Sequence, residues 1–91
     1  MSTTTEERSQ QENPLSDPEF RDRLRELPPS AKLVAKVLEG DAPLSQGQLA
    51  DESLLPDRTV RYALNRLEEC GLVGSRYSFR DARKQVYFLH N

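Results

Sequence analysis

The chain has 91 residues, 35% of them apolar and 31% charged, with a formal net charge of −2. Such a length holds one compact domain, and the single cysteine, Cys70, excludes an intramolecular disulfide and makes a reducing compartment the default. No run approaches membrane-spanning length and the N-terminus has no apolar signal core, so a cytoplasmic protein with no membrane partner is expected.

The modest net charge conceals a segregation along the chain. Residues 1–29 carry seven acidic and four basic groups (net −3), residues 30–56 four and two (net −2), and residues 57–91 four and seven (net +3). Every arginine beyond Arg25 lies in that last third. The distribution marks one basic face on an otherwise acidic protein.

Residues 1–17 are dominated by Ser, Thr, Glu, Gln and Asn. They can bury too little apolar surface to offset their ordering entropy, so a disordered polar tail is expected there, with the domain spanning residues 18–91. "DPEFRDRLREL" then places Phe20, Leu24 and Leu27 at i, i+4 and i+7. That spacing predicts a short amphipathic helix with Asp17 as cap and Pro18 in its first position, ended by Pro28 and Pro29. "SAKLVAKVLEG" predicts a second helix with Val34, Val37 and Leu38 as its apolar stripe, Ser30 near its start and Gly40 as its stop. In "SQGQLADES", Ser45 and Gln48 stand in a capping-box relation and Leu49 and Ala50 are the residues to bury. "LLP" turns the chain into "LPDRTVRYALNRLEECGLV", where Val60, Leu64 and Leu67 share one helical face. Asp57 suits the positive N-terminal end of that helix, and Gly71 closes it. The period then changes to two. "LVGSRYSF" and "QVYFLH" predict two strands of a hairpin, separated by the five-residue charged tip "RDARK".

The stretch "LSQGQLADESLLPDRTVRYALNRLEECGLV" resembles the helix-turn-helix of winged-helix transcription regulators of the MarR class. The matching residues are Leu44, Ser45, Leu49, Ala50, Thr59, Val60, Arg66, Leu67, Glu68, Gly71, Leu72 and Val73. The tip adds Asp81 and Arg83 in the Asp-x-Arg relation frequent in MarR-like wings. The resemblance implies an α+β winged helix-turn-helix with a three-helix core, a two-stranded β-hairpin wing and a short extra N-terminal helix. It also implies that Arg83 enters the minor groove of DNA, oriented by Asp81. MarR proteins dimerise through extra helices at both ends; this chain stops at Asn91, just past the second predicted strand, so the C-terminal dimer helix is expected to be absent.

The chemistry of the outer face supports the same reading without the family. With Val60 facing the core, Arg58, Tyr62 and Asn65 fall within about 40° of the opposite direction at about 100° per residue. Arg61 and Arg66 flank them, and Thr59 sits at the N-terminal edge. Arginine can bond two acceptors of guanine at once and asparagine can do the same for adenine, and a helix in a major groove presents its N-terminal half to the bases. The competing reading is a solvated face on which Arg61 or Arg66 pairs with Asp57, Glu68 or Glu69. The wing holds Arg76, Arg80, Arg83 and Lys84 around one acid, Asp81. Charged hairpins also discourage edge pairing, but the excess of one sign favours phosphate or minor-groove contact.

The leading functional reading is sequence-specific binding of double-stranded DNA by a transcription regulator. Its third core helix would lie in the major groove and its wing on the minor groove or backbone. The alternative is a winged helix used for protein–protein contact in transcription or chromosome machinery, which the fold alone does not separate. A homodimer is expected, with the stripe Phe20, Leu24 and Leu27 either on a second copy, the favoured destination, or on the first core helix. No catalytic residue, cofactor or metal site is expected, and the sequence names no small-molecule effector. Cys70 lies at a negative helix end, which disfavours the thiolate. His90 is isolated from other ligands, and no phosphate loop, nucleophile elbow or zinc motif occurs.

Overall fold

The computed structural model of the chain describes residues 14–90. A 3₁₀ turn at Pro14–Ser16 leads into helix α1 (Pro18–Arg25), helix α2 (Pro29–Asp41), a two-residue strand β1 (Leu44–Ser45), helix α3 (Gln46–Ser53), helix α4 (Asp57–Glu69), and strands β2 (Val73–Tyr77) and β3 (Gln85–Leu89). Four helices and a small antiparallel sheet make a winged helix, the architecture expected from the sequence.

Each helix begins and ends for a local reason. Asp17 accepts the backbone N–H of Glu19 at 3.1 Å and Pro18 occupies the first position of α1. Ser45 and Gln48 form a reciprocal capping box at the start of α3, with bonds of 3.2 and 2.9 Å. Gly40 does not stop α2, contrary to expectation; the helix continues through Asp41 and ends at Ala42, which is extended at φ −60°, ψ 150°. The reason is Pro43, whose ring disfavours a helical conformation in the residue before it. A glycine in a helix costs only about 1 kcal/mol and does not by itself end one.

The core lies between α2 and the inner face of α4. Ala31, Val34, Ala35 and Leu38 of α2 and Val60, Ala63, Leu64 and Leu67 of α4 are all buried, together with Leu49, Leu72 and Val73. Alanines at 31, 35 and 63 let the two backbones approach, while the leucines and valines supply the area, each worth about 1.5–3 kcal/mol when fully buried.

The sheet has three strands in the order β1–β3–β2, where a two-stranded hairpin was expected. β3 pairs antiparallel with β2 from Val73↔Leu89 to Tyr77↔Gln85, and with β1 through Leu44↔Tyr87 and Ser45↔Val86. A two-residue strand is too short for an alternating pattern to register, and Ser45 also reads as a helix cap. The strands end earlier than the apolar pattern suggested, so the wing connection covers Ser78–Lys84, and Phe79 falls outside β2. Of the expected tail, residues 1–13 lie outside the described residues. Leu15 in the 3₁₀ turn that follows packs against the core.

The stripe on α1 packs within the chain. Phe20, Leu24 and Leu27 are 5%, 8% and 4% exposed and belong to the same cluster as α2 and α4. The expected use of these three side chains as a dimer surface is therefore corrected. α1 and the residues after it thus extend the α2–α4 core. Replacing Phe20 and Leu24 together by serine should unfold the domain rather than dissociate it, because truncating a buried Phe or Leu costs about 2–5 kcal/mol. Loss of the far-UV helical signal at all protein concentrations is the expected result, and a folded monomer is the result that would contradict it.

Candidate nucleic-acid interface

Helix α4 divides cleanly. With Val60, Ala63, Leu64 and Leu67 turned inward, Arg58, Arg61, Tyr62 and Asn65 are exposed along the outer face and Thr59 is half-buried at its edge. Among the described residues, none of Arg58, Arg61 and Arg66 takes part in an ion pair; the pairs are Arg25–Asp22, Lys36–Glu39 and Arg83–Asp81. The helix-internal pairing that could have explained this arginine-rich face is not formed. Arg66 differs from the others: it is half-buried, and its Nε is shut off from solvent with no hydrogen-bond partner. It stands at the rim of the face rather than on it.

Two turns aim the helix. Between α3 and α4, Leu54 takes the left-handed conformation at φ 63° while its side chain stays 88% exposed. The buried Ser53 hydroxyl accepts the N–H of Leu55 at 3.3 Å, and Gln46 Nε2 reaches the Asp57 carbonyl at 3.4 Å, tying the starts of the two helices together. At the other end, Gly71 is left-handed at φ 73°; its N–H donates to the Glu68 carbonyl at 3.0 Å and the Leu72 N–H donates to the Leu67 carbonyl at 2.9 Å. This double closure is a Schellman motif, with Leu67 and Leu72 both in the core. Arg23 of α1 donates to the Cys70 carbonyl at 3.4 Å, placing a cation at the negative end of α4.

The wing tip is held by its own hydrogen bonds. Ser78 donates its N–H to the Lys84 carbonyl at 2.8 Å, closing the base, and Lys84 donates to the Asp81 carbonyl at 2.9 Å. Asp81 Oδ1 accepts the Arg83 N–H at 3.0 Å and lies 3.4 Å from its Nε. Arg83 is thus oriented by Asp81 while its side chain remains 93% exposed. Arg80 and Lys84 are exposed as well. Arg76 is drawn sideways, its guanidinium lying 5.2 Å from the centre of the Phe79 ring.

Sequence reasoning passed over three features here. Phe79, expected in a strand, lies in the wing connection. A shallow cleft of about 330 Å³ lies between the start of α3 and the wing base, lined by Ser45, Gln46, Gly47, Lys84, Gln85 and Tyr87; it arises from the β1–β3 pairing, which the pattern did not show. Tyr87 of β3 lies within the electrostatic reach of Glu68 and Arg61 of α4. Burial pushes its phenol above the ordinary value of 10.0, the Glu68 carboxylate pushes the same way, and Arg61 opposes both.

An outward cationic helix and an arginine-tipped wing on a shared core define a winged helix-turn-helix domain. Residues 35–73 match a family model described as winged helix-turn-helix DNA-binding. The fold is that of MarR-family regulators. A MarR family transcription regulator matches with a TM-score of 0.68 at 21% identity, over 77% of this chain and 47% of its own. The PcaV transcriptional regulator of Streptomyces coelicolor, solved with its natural ligand, matches with 0.68 at 20% identity, over 71% and 46%. S. aureus MepR, solved in complex with DNA, matches with 0.68 at 16% identity, over 99% and 68%. The chain spans about half the length of the first two. No curated protein sequence matches it.

The raised Tyr87 phenol has a consequence for stability. Its folded-state value exceeds its unfolded one, so the contribution is intact below about pH 10 and is lost as pH rises through the folded value. Tyr87→Phe should lose less stability on alkalinisation than the native protein, as followed by urea midpoints. Parallel curves for the two would contradict this.

Proposed function

We propose that this chain is a transcription regulator that binds double-stranded DNA sequence-specifically, with α4 in the major groove and the wing on the minor groove or backbone. The observation that carries the reading is the outer face of α4, where Arg58, Arg61, Tyr62 and Asn65 are exposed and the arginines are free of ion pairs. Hydrogen-bonding capacity left unspent in the protein is available to base edges and phosphates. The Asp81–Arg83 pair adds a preorganised cation for the minor groove, and the likeness in fold to MepR, solved with DNA, supports the same use. Arg58 and Asn65 are the proposed base readers; Arg61, Tyr62, Arg80 and Lys84 are the proposed backbone contacts. Thr59, Arg66 and Arg76 sit at the margins.

One winged helix makes few base contacts, and paired half-sites lie about 10 base pairs apart on one face of the duplex. The acting unit in this proposal is accordingly a homodimer in the cytoplasm, assembled through a surface other than Phe20, Leu24 and Leu27.

Selection of genomic fragments by the purified protein, followed by binding titrations at several salt concentrations, tests the proposal. Failure to bind duplex DNA at low salt would favour the protein-contact alternative. Arg58→Ala and Asn65→Ala should each lose about 1–3 kcal/mol of discrimination between the selected site and random duplex. Equal weakening on both duplexes would reduce them to phosphate contacts. Arg83→Ala should weaken binding most where the flanks are A·T-rich and the minor groove is narrow. The same loss on G·C-rich flanks would remove the minor-groove role.

A further inference from the structure

Phe79 is 95% exposed, more than any other large apolar side chain among the described residues. It lies in the wing connection, whose cations Arg80, Arg83 and Lys84, with Arg76 of β2, accompany the single acid Asp81. Its ring contact is with the Arg76 guanidinium, 5.2 Å from the ring centre. The backbone on either side is fixed: Ser78 bonds the Lys84 carbonyl at 2.8 Å, and the Ser78 hydroxyl accepts the N–H of Arg80 at 3.2 Å. The ring is therefore held out on a braced loop, the same loop that carries the arginine oriented by Asp81.

An exposed phenylalanine contributes nothing to the core, and its turn position could be filled by any polar residue. The Arg76 guanidinium lies over the Phe79 ring, 5.2 Å from its centre, and both side chains stay exposed, so the pair presents an apolar and a cationic group side by side. A surface of that kind fits a partner that is anionic at its rim and apolar within. The minor groove of duplex DNA has that composition, with phosphates along its edges and deoxyribose and base faces along its walls. Apolar side chains inserted there by other proteins gain contact area beside arginines that answer the phosphates.

Resting on the DNA-binding reading above, we propose that Phe79 is a second, uncharged contact of the wing, seated against the sugars and base edges of the minor groove and braced by Arg76. It would supply affinity by apolar contact where Arg83 supplies it by charge.

The two kinds of contact separate in a salt titration. Neutralising a phosphate contact lowers the slope of log K against log salt by about one, whereas loss of an apolar contact leaves the slope alone. Binding of the full chain to its selected duplex should weaken roughly tenfold in Phe79→Ala with the slope unchanged, a loss within the range of aromatic contacts to nucleic acid. Phe79→Leu should retain most of the affinity, and Arg83→Ala should lower the slope. Thermal unfolding of Phe79→Ala should match the native protein, since the ring buries nothing. Affinity within twofold of native in Phe79→Ala overturns the inference and leaves the DNA-binding reading standing. A native protein that binds no duplex overturns both. A loss of binding in Phe79→Ala that tracks a change from dimer to monomer in sedimentation overturns the groove contact and makes Phe79 a contact between copies.

Discussion

Burial of one face of α4 against α2 sets the terms for everything else in this domain. Val60, Ala63, Leu64 and Leu67 meet Ala31, Val34, Ala35 and Leu38 without leaving either row exposed. A helix of 13 residues locked along one side has no freedom to rotate, so the opposite side is presented in a single orientation. Arg58, Tyr62 and Asn65 are displayed by the same packing that buries Val60. The outward chemistry is a geometric by-product of the inward one, and a polar residue introduced at Leu64 or Leu67 would disturb both.

The electrostatic arrangement follows the same division. Acids and bases nearly balance along α1 and α2, four against five, while the cations that give the last third its net positive charge lie on α4 and the wing. Carboxylates close to the arginines of α4 do not quench them: Glu68 bears on Tyr87, and no ion pair ties down Arg58, Arg61 or Arg66 among the described residues. The one wing carboxylate that does pair, Asp81, orients its arginine while leaving it exposed. Charge is positioned outward at the face and the tip.

What could be read from the sequence was whatever is decided locally. Asp17 and Pro18, the Ser45–Gln48 box, and Gly71 each act on the nearest few backbone groups, and each does in the structure what its residue type dictates. The outer face of α4 was legible because a single inward residue, Val60, fixes the phase of the whole helix. Features settled at a distance were not legible. β1 exists only because β3 lies alongside it. The destination of Phe20, Leu24 and Leu27 depended on how they meet the rest of the core, which no periodicity in α1 records. Gly40 was misjudged through a local rule applied without its neighbour, since Pro43 three residues on sets the true end of α2. Phe79 looked like strand because aromatics favour strands, yet the ladder had already ended at Tyr77.

The β1–β3 pairing has a consequence for the order in which the molecule opens. Leu44 and Tyr87 stand far apart in sequence, so their pairing closes a long loop whose entropy cost is offset only when the helices between them are in place. The residues of β3 are only half-buried, with Tyr87 and Leu89 packed against the edge of the core, whereas the inner rows of α2 and α4 are fully buried. Opening should therefore begin at the sheet, with the backbone amides of β3 exchanging their hydrogens sooner than those of α2 and α4. The wing is then a reversible extension of a standing helical core, and a bound partner that held β3 in place would register as slowed exchange along Gln85–Leu89 before it altered the helices at all.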